Sequence, residues 1–189
     1  MNFCLLPIAF CLKIVFLPLF FNRRKMKLFK EIFAYTLGGL LFVGLIPFLM
    51  WFCSGKPSIC PMDTWRLIIG ILLIIIGLAL SVWAIVYMRR KGDGNPLDAF
   101  GHEVAPRTKH LMTDGPYKLS RNPMLSGIFL YLIGICFWLW AWQAVVFFVA
   151  FVIIMSVQVY TEEKRLRQDF GEEYEDYCRR TGRFWPKKW

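Results

Sequence analysis

Residues 124–160 read MLSGIFLYLIGICFWLWAWQAVVFFVAFVIIMSVQVY, 37 residues without an acidic or basic side chain. A helix needs about 20 apolar residues to cross a hydrocarbon core. The stretch is too long for one crossing and long enough for two, which places a tight reversal near Leu139-Trp140-Ala141-Trp142. Trp138, Trp140 and Trp142 then fall where aromatic side chains collect at a membrane surface. Helices joined so closely run antiparallel as neighbours. The chain reads as an all-α, polytopic membrane helical bundle.

Outward from this hairpin, residues 32–53 and 65–88 are each long enough for a further span, giving four, with the hairpin spans at 124–140 and 142–160. Composition agrees: 57% of residues are hydrophobic, against about 45–50% in soluble domains. Of the 23 basic residues, 20 lie in segments 22–31, 89–123 and 161–189, which share one side if 32–160 crosses four times. The opposite side keeps only Lys56 and Arg66. The basic side is therefore expected to be cytoplasmic, with loop 89–123 and the C-terminus there, in a bacterial inner membrane. Residues 1–25 are apolar but carry Lys13, an unfavourable mid-membrane residue. They are read as an extra span or an upstream extension before Met26, and residues 26–189 as one domain. Gly70 with Gly77, and Gly127 with Gly134, mark faces for close helix packing.

Several functions are excluded or disfavoured. The +10 net charge sits beside apolar blocks, the wrong place for nucleic acid. Cys4, Cys11, Cys53, Cys60, Cys136 and Cys178 lack metal-ligand spacing, so no metal is expected. All six are expected to be free, with a Cys53–Cys60 pair as the alternative. Only Lys13 is ionisable inside a span, which argues against a proton or ion carrier. Gly92-Asp93-Gly94 has no flanking strand, so a doubly wound nucleotide fold is excluded.

Polar chemistry is concentrated in 89–123, which holds His102 and His110, and in the tail from 161. There Leu166, Phe170, Tyr174 and Tyr177 share one face of an amphipathic helix continuing the last span. Local structure alone can explain the prominent residues. Asn122 suits a helix N-cap with Pro123 at the first helical position. Arg121 can meet headgroups, and Glu163 can pair with Arg167 one turn on.

The ordered combination goes further: Gly115-Pro116-Tyr117, Arg121-Asn122-Pro123, a two-span hairpin, Glu162-Glu163, then Leu166, Phe170-Gly171, Tyr174, Tyr177, Arg183 and Pro186. Over residues 97–186 this resembles the isoprenylcysteine carboxyl methyltransferases and phospholipid N-methyltransferases. The resemblance implies an integral membrane enzyme using S-adenosyl-L-methionine on a hydrophobic or lipid-like methyl acceptor. It implies cofactor contacts at His102, Lys109, His110, Leu111, Met112, Tyr117, Arg121, Asn122, Pro123, Met124, Leu125 and Glu162. Glu163, His102 and His110 are the candidate bases. Many members have His at the position of Asn122 and Tyr at that of Leu125, so acid–base work at position 122 is lost here. The substrate-contacting Arg of prenylcysteine enzymes aligns with Gln158, which weakens the case for a free carboxylate acceptor. Two other readings stand beside this one. An NADPH-dependent membrane reductase could use Arg89-Arg90-Lys91 for the 2′-phosphate, and a non-catalytic protein would keep the same fold.

Overall fold

The computed structural model describes residues 36–55, 63–91 and 111–187. Four helices account for most of them: α1 (Thr36–Cys53), α2 (Thr64–Lys91), α3 (Pro123–Leu139) and α4 (Trp142–Arg180). Three are long and apolar enough to cross a membrane, and α3, with 17 residues, meets the lower limit for a span. The protein is a membrane protein with an all-α fold, and α2 turns Ile68, Leu72 and Ile75 outward as lipid-facing surface. The N-terminal segment 1–25 and the second half of the possible Cys53–Cys60 pair lie outside the described residues. Cys53, Cys136 and Cys178 are free thiols.

The hairpin turns where the sequence places it. Trp140 takes a left-handed conformation (φ 46°) and Ala141 an extended one, so two residues reverse the chain. Arg66 and Trp65 pack on Trp140 at this end, 5.1 and 5.5 Å from its ring centre.

The closest backbone approach to α3 comes from α2 rather than from its hairpin partner. Gly70 faces Gly134 and Gly77 faces Gly127, an antiparallel register. A Cβ on Gly77 would sit 2.5 Å from the Gly127 carbonyl oxygen and the Tyr131 nitrogen. Helix α4 meets α3 through larger side chains, with Phe129 set edge-on to Phe148 and Phe151. Helix α3 is thus the centre of the bundle, burying Ile128, Phe129, Tyr131 and Leu132.

Two interruptions were not expected. In α1, residues Leu40–Leu45 form a π-helical segment, with the Ile46 N–H reaching back to the Leu41 carbonyl. Pro47 gives the cause. It has no N–H for the Val43 carbonyl and its ring crowds that group. The Tyr131 hydroxyl donates to Val43 O instead, at 3.1 Å, which satisfies a carbonyl that lipid could not. In α4, Gly171 leaves helical geometry (φ 52°, ψ −123°), so the tail does not continue the span as one helix. It folds back. Arg167 Nε consequently reaches Glu175 Oε1 at 2.7 Å, eight residues on.

Candidate active site

The stretch before α3 is built by its own sequence. Gly115 (φ 58°) and Pro116 start a single 3₁₀ turn, Gly115–Lys118, against Tyr87. The chain then reaches Arg121 and Asn122, and α3 begins at Pro123, where a missing N–H costs nothing. Asn122 occupies the N-cap position, yet its side chain makes no capping hydrogen bond. Its Nδ2 donates to the Arg183 carbonyl at 3.3 Å.

That carbonyl belongs to the tail, which crosses the start of α3 like a short strand. Arg121 N–H donates to Gly182 O at 2.9 Å and Asn122 N–H to Arg183 O at 3.2 Å. Ser126 Oγ lies 2.6 Å from Phe184 O and 2.9 Å from Ser120 Oγ, so it donates to the first and accepts from the second. Phe184 anchors the segment by packing edge-on against Phe129, 5.1 Å away.

Glu163 sits under this crossing, 1% exposed. Arg183 grips it with two parallel bonds, Nε to Oε1 at 3.1 Å and the terminal nitrogen to Oε2 at 2.6 Å. Arg121 reaches Oε1 at 3.0 Å. The Glu163–Arg167 pair expected from spacing is absent because Arg167 turns to Glu175, and two guanidiniums take its place. Hydrogen bonding to Glu163 raises the pKa of Arg183. A paired, charge-assisted contact of this kind is strong, and it engages both oxygens of Glu163.

An aromatic cluster closes the polar end. Tyr117, Tyr174 and Tyr177 are buried together with Leu166 and Phe170 packed on them, so the tail's apolar residues meet as the sequence suggests despite the break. Tyr177 donates to the Tyr117 carbonyl at 2.7 Å. Burial pushes the pKa of both Tyr174 and Tyr177 up. The stability this neutral pair confers is complete below about pH 10, the ordinary tyrosine range, and is lost as pH rises through the higher folded values. Tyr177→Phe is expected to cost about 0.5–1.5 kcal/mol, the usual net loss of a hydrogen bond, and to flatten part of the alkaline decline. Denaturant unfolding in micelles at pH 7 and above pH 10 checks both; an unchanged midpoint at pH 7 would remove the hydrogen bond from the account.

These parts surround one cavity of about 520 Å³, within the roughly 300–1,000 Å³ usual for small-molecule sites. Leu111, Met112, Tyr117, Arg121, Asn122, Pro123, Met124, Leu125 and Glu162 all line it, as does Glu163. His102, Lys109 and His110 lie outside the described residues. The sequence names Arg183 among the ordered motifs but gives it no place in the site, because its partner is fixed only by the fold-back at Gly171. Sequence reasoning missed the wall given by Leu37, Gly38, Leu41 and Phe42 of α1. The Pro47 within an apolar run was the available signal that α1 is irregular there.

Chemically, the cavity has two ends. Arg121, Glu162, Glu163 and the start of α3 make one end polar, with the N–H groups of the first helical turn carrying partial positive charge. Leu37, Leu41, Phe151 and Ile154 make the other apolar, and Leu37 and Ile154 are 51% and 54% exposed where lipid would lie. Such a lining suits a ligand, or two, with both charged and apolar parts.

A family model for phospholipid methyltransferases matches residues 65–173, more than half of the chain. The chain belongs to the phospholipid methyltransferase family. No curated protein matches it. The family match spans α2, the threshold before α3, the hairpin and Glu162-Glu163, which are the parts that bring the polar end of the cavity together. It stops short of Arg183 and does not include α1. As a member of the phospholipid methyltransferase family the protein is a membrane methyltransferase, and its family-matched residues supply most of the polar wall.

Proposed function

We propose that this protein transfers a methyl group from S-adenosylmethionine to a lipid-soluble acceptor drawn from the bilayer. The observation that carries this is the 3.0 Å pair between Arg121 and Glu163. It joins two distant stretches of chain into one wall of a single cavity. The residues fit the donor. Arg121 and the first turn of α3 suit its carboxylate, and Glu162 suits its amino group or ribose hydroxyls. Leu111, Met112 and Tyr117 offer apolar and aromatic surface for adenine. His102, Lys109 and His110 are proposed to complete the pocket from segment 92–110.

When bound, the donor supplies an activated methyl group on a positively charged sulfur. The protein's part is alignment and exclusion of water. Leu37, Leu41, Phe42, Phe151 and Ile154 would receive the acceptor sideways from lipid, and Gln158 would meet its polar end. Glu163 serves as a positioning residue, since its oxygens are occupied, and His102 is the proposed base for an acceptor that must lose a proton. The polar end faces the cytoplasm in this reading, following the basic residues. The reductase reading lacks support here, because Arg89, Arg90 and Lys91 at the end of α2 are not on the cavity wall.

Calorimetric titration of the purified chain with S-adenosylhomocysteine, and separately with NADPH, is the test. Saturable binding of the first is expected, weakened about tenfold or more in Glu162→Ala as a charged hydrogen bond is lost. Binding of NADPH alone would transfer the assignment to the reductases. Binding of neither would leave the fold without this activity.

A further inference from the structure

The end of the tail is placed where a membrane surface would meet it. Ser126 and Phe129, in the first two turns of α3, hold Phe184 by a 2.6 Å hydrogen bond and an edge-on ring contact. Phe184 is therefore drawn to the depth at which a membrane-spanning helix enters its bilayer. Trp185, the next residue, is 51% exposed there. Tryptophan collects at that level of a membrane, and Trp140 and Trp142 stand exposed at the opposite end of the α3–α4 hairpin. The cations beside Trp185 are gathered rather than dispersed. Lys187 Nζ donates to the Arg179 carbonyl at 3.0 Å, which sets it against the last turn of α4 with Arg179 and Arg180. Asp176 pairs with Arg179 at 2.9 Å. Among the described residues neither Arg180 nor Lys187 pairs with a carboxylate. Glu175 is taken by Arg167. Glu172 and Glu173 lie about 9–12 Å back along the helix axis, roughly a Debye length in physiological salt. Three positive charges thus share one close negative charge, on an exposed surface.

We infer that Trp185, Lys187, Arg179 and Arg180 form a docking surface for anionic phospholipid headgroups of the leaflet that α3 enters. Depth and charge together fix the partner. Trp185 needs an interface that is apolar on one side and wet on the other, and the cations need phosphates. A soluble polyanion would match the charge and leave the indole in water. An anionic bilayer surface draws each nearby Lys or Arg by about fivefold. The consequence reaches the cavity. Arg183 lies in the chain between the two halves of this surface, and it is the residue that grips Glu163. Lipid held at 179–180 and at 185–187 keeps Arg183 on Glu163, and keeps the backbone of 182–183 against Arg121 and Asn122. Anionic lipid thereby regulates assembly of the polar wall. The inference needs the membrane fold and not the methyl-transfer reading.

Hydrogen exchange followed by mass spectrometry, on the full chain in nanodiscs, tests this. The amides of Arg121 and Asn122 are the reporters, because they donate to Gly182 O and Arg183 O only while the tail is seated. Discs of phosphatidylcholine are compared with discs in which part of it is replaced by phosphatidylglycerol. Exchange at the two amides is expected to slow about five- to thirtyfold in the anionic discs, the effect of one to two net charges. High salt should bring it back to within about twofold of the neutral discs. The triple variant Arg179→Gln, Arg180→Gln, Lys187→Gln should lose the lipid dependence. The triple variant Arg89→Gln, Arg90→Gln, Lys91→Gln, at the end of α2, should keep it. Exchange near Tyr131 reports whether each variant folds, and the salt series on the wild type carries the test if the tail variant does not. Equal exchange in the two kinds of disc overturns the inference. So does a lipid dependence that persists in the tail variant, in high salt, or that vanishes in the α2 variant. Slowing that needs two chains per disc, in either lipid, gives the surface to a second copy and also overturns it.

Discussion

Replacing Glu163 with alanine is expected to destabilise the folded chain by about 3–5 kcal/mol, the usual result of removing one partner from a buried ion pair. The reason lies in what stays behind. Arg121 keeps an 11% exposed guanidinium with no carboxylate, and Arg183 loses both of its parallel hydrogen bonds. Arg183, with 38% of its side chain exposed, can turn toward water, so Arg183→Ala should cost less than Glu163→Ala. Glu163→Gln should fall between them, since it retains shape and one acceptor but not the charge. Binding of S-adenosylhomocysteine should be lost in Glu163→Ala even below its unfolding midpoint, because Arg121 is no longer held on the cavity wall. Unfolding in mixed micelles, followed by helical circular dichroism, gives the energies. A loss under about 1 kcal/mol, typical of a solvent-exposed pair, would mean that water reaches Glu163.

The second large effect is steric. Gly77→Val is expected to destabilise by about 3 kcal/mol or more, the upper range for overpacking. Most overpacked cores relax by turning a side chain. Here the obstacles are the Gly127 carbonyl and the Tyr131 nitrogen, both 2.5 Å from where the first added carbon would lie. Backbone cannot rotate aside, so α2 and α3 must separate. Because α3 starts at the cavity, that separation should also weaken ligand binding. Gly39→Ala is the control: it adds a methyl group with nothing within 4 Å in a helical stretch and should be neutral or slightly stabilising. Similar unfolding midpoints for Gly77→Val and the wild type would show that the two helices do not pack through this crossing.

What the sequence made legible was what is written locally. The apolar run 124–160 fixed the hairpin, the glycine spacings marked the α2–α3 contact, and the ordered motifs marked one side of the cavity. Local signals also misled. Asn122 has the chemistry of a cap and the position of one, but its side chain makes no capping bond and its Nδ2 donates to Arg183 O. Glu163 and Arg167 have the spacing of a helical pair, but each finds a tertiary partner instead. The π-helical segment of α1 follows from Pro47, whose effect on Val43 becomes clear only once Tyr131 is seen beside it. Arg183 could not be placed at all without the turn at Gly171, since a straight helix would carry the tail away from Glu163.

The fold-back at Gly171 also sets an order of events during biosynthesis. Ribosomes add about 5–20 residues per second, and Arg183 follows Glu163 by 20 residues. For about 1–4 seconds the newly made hairpin therefore holds its acidic residue with one arginine only, and the nascent pocket stays half assembled. The final clasp arrives 20 residues after the carboxylate it closes on, which makes the tail a timer for completion of the site.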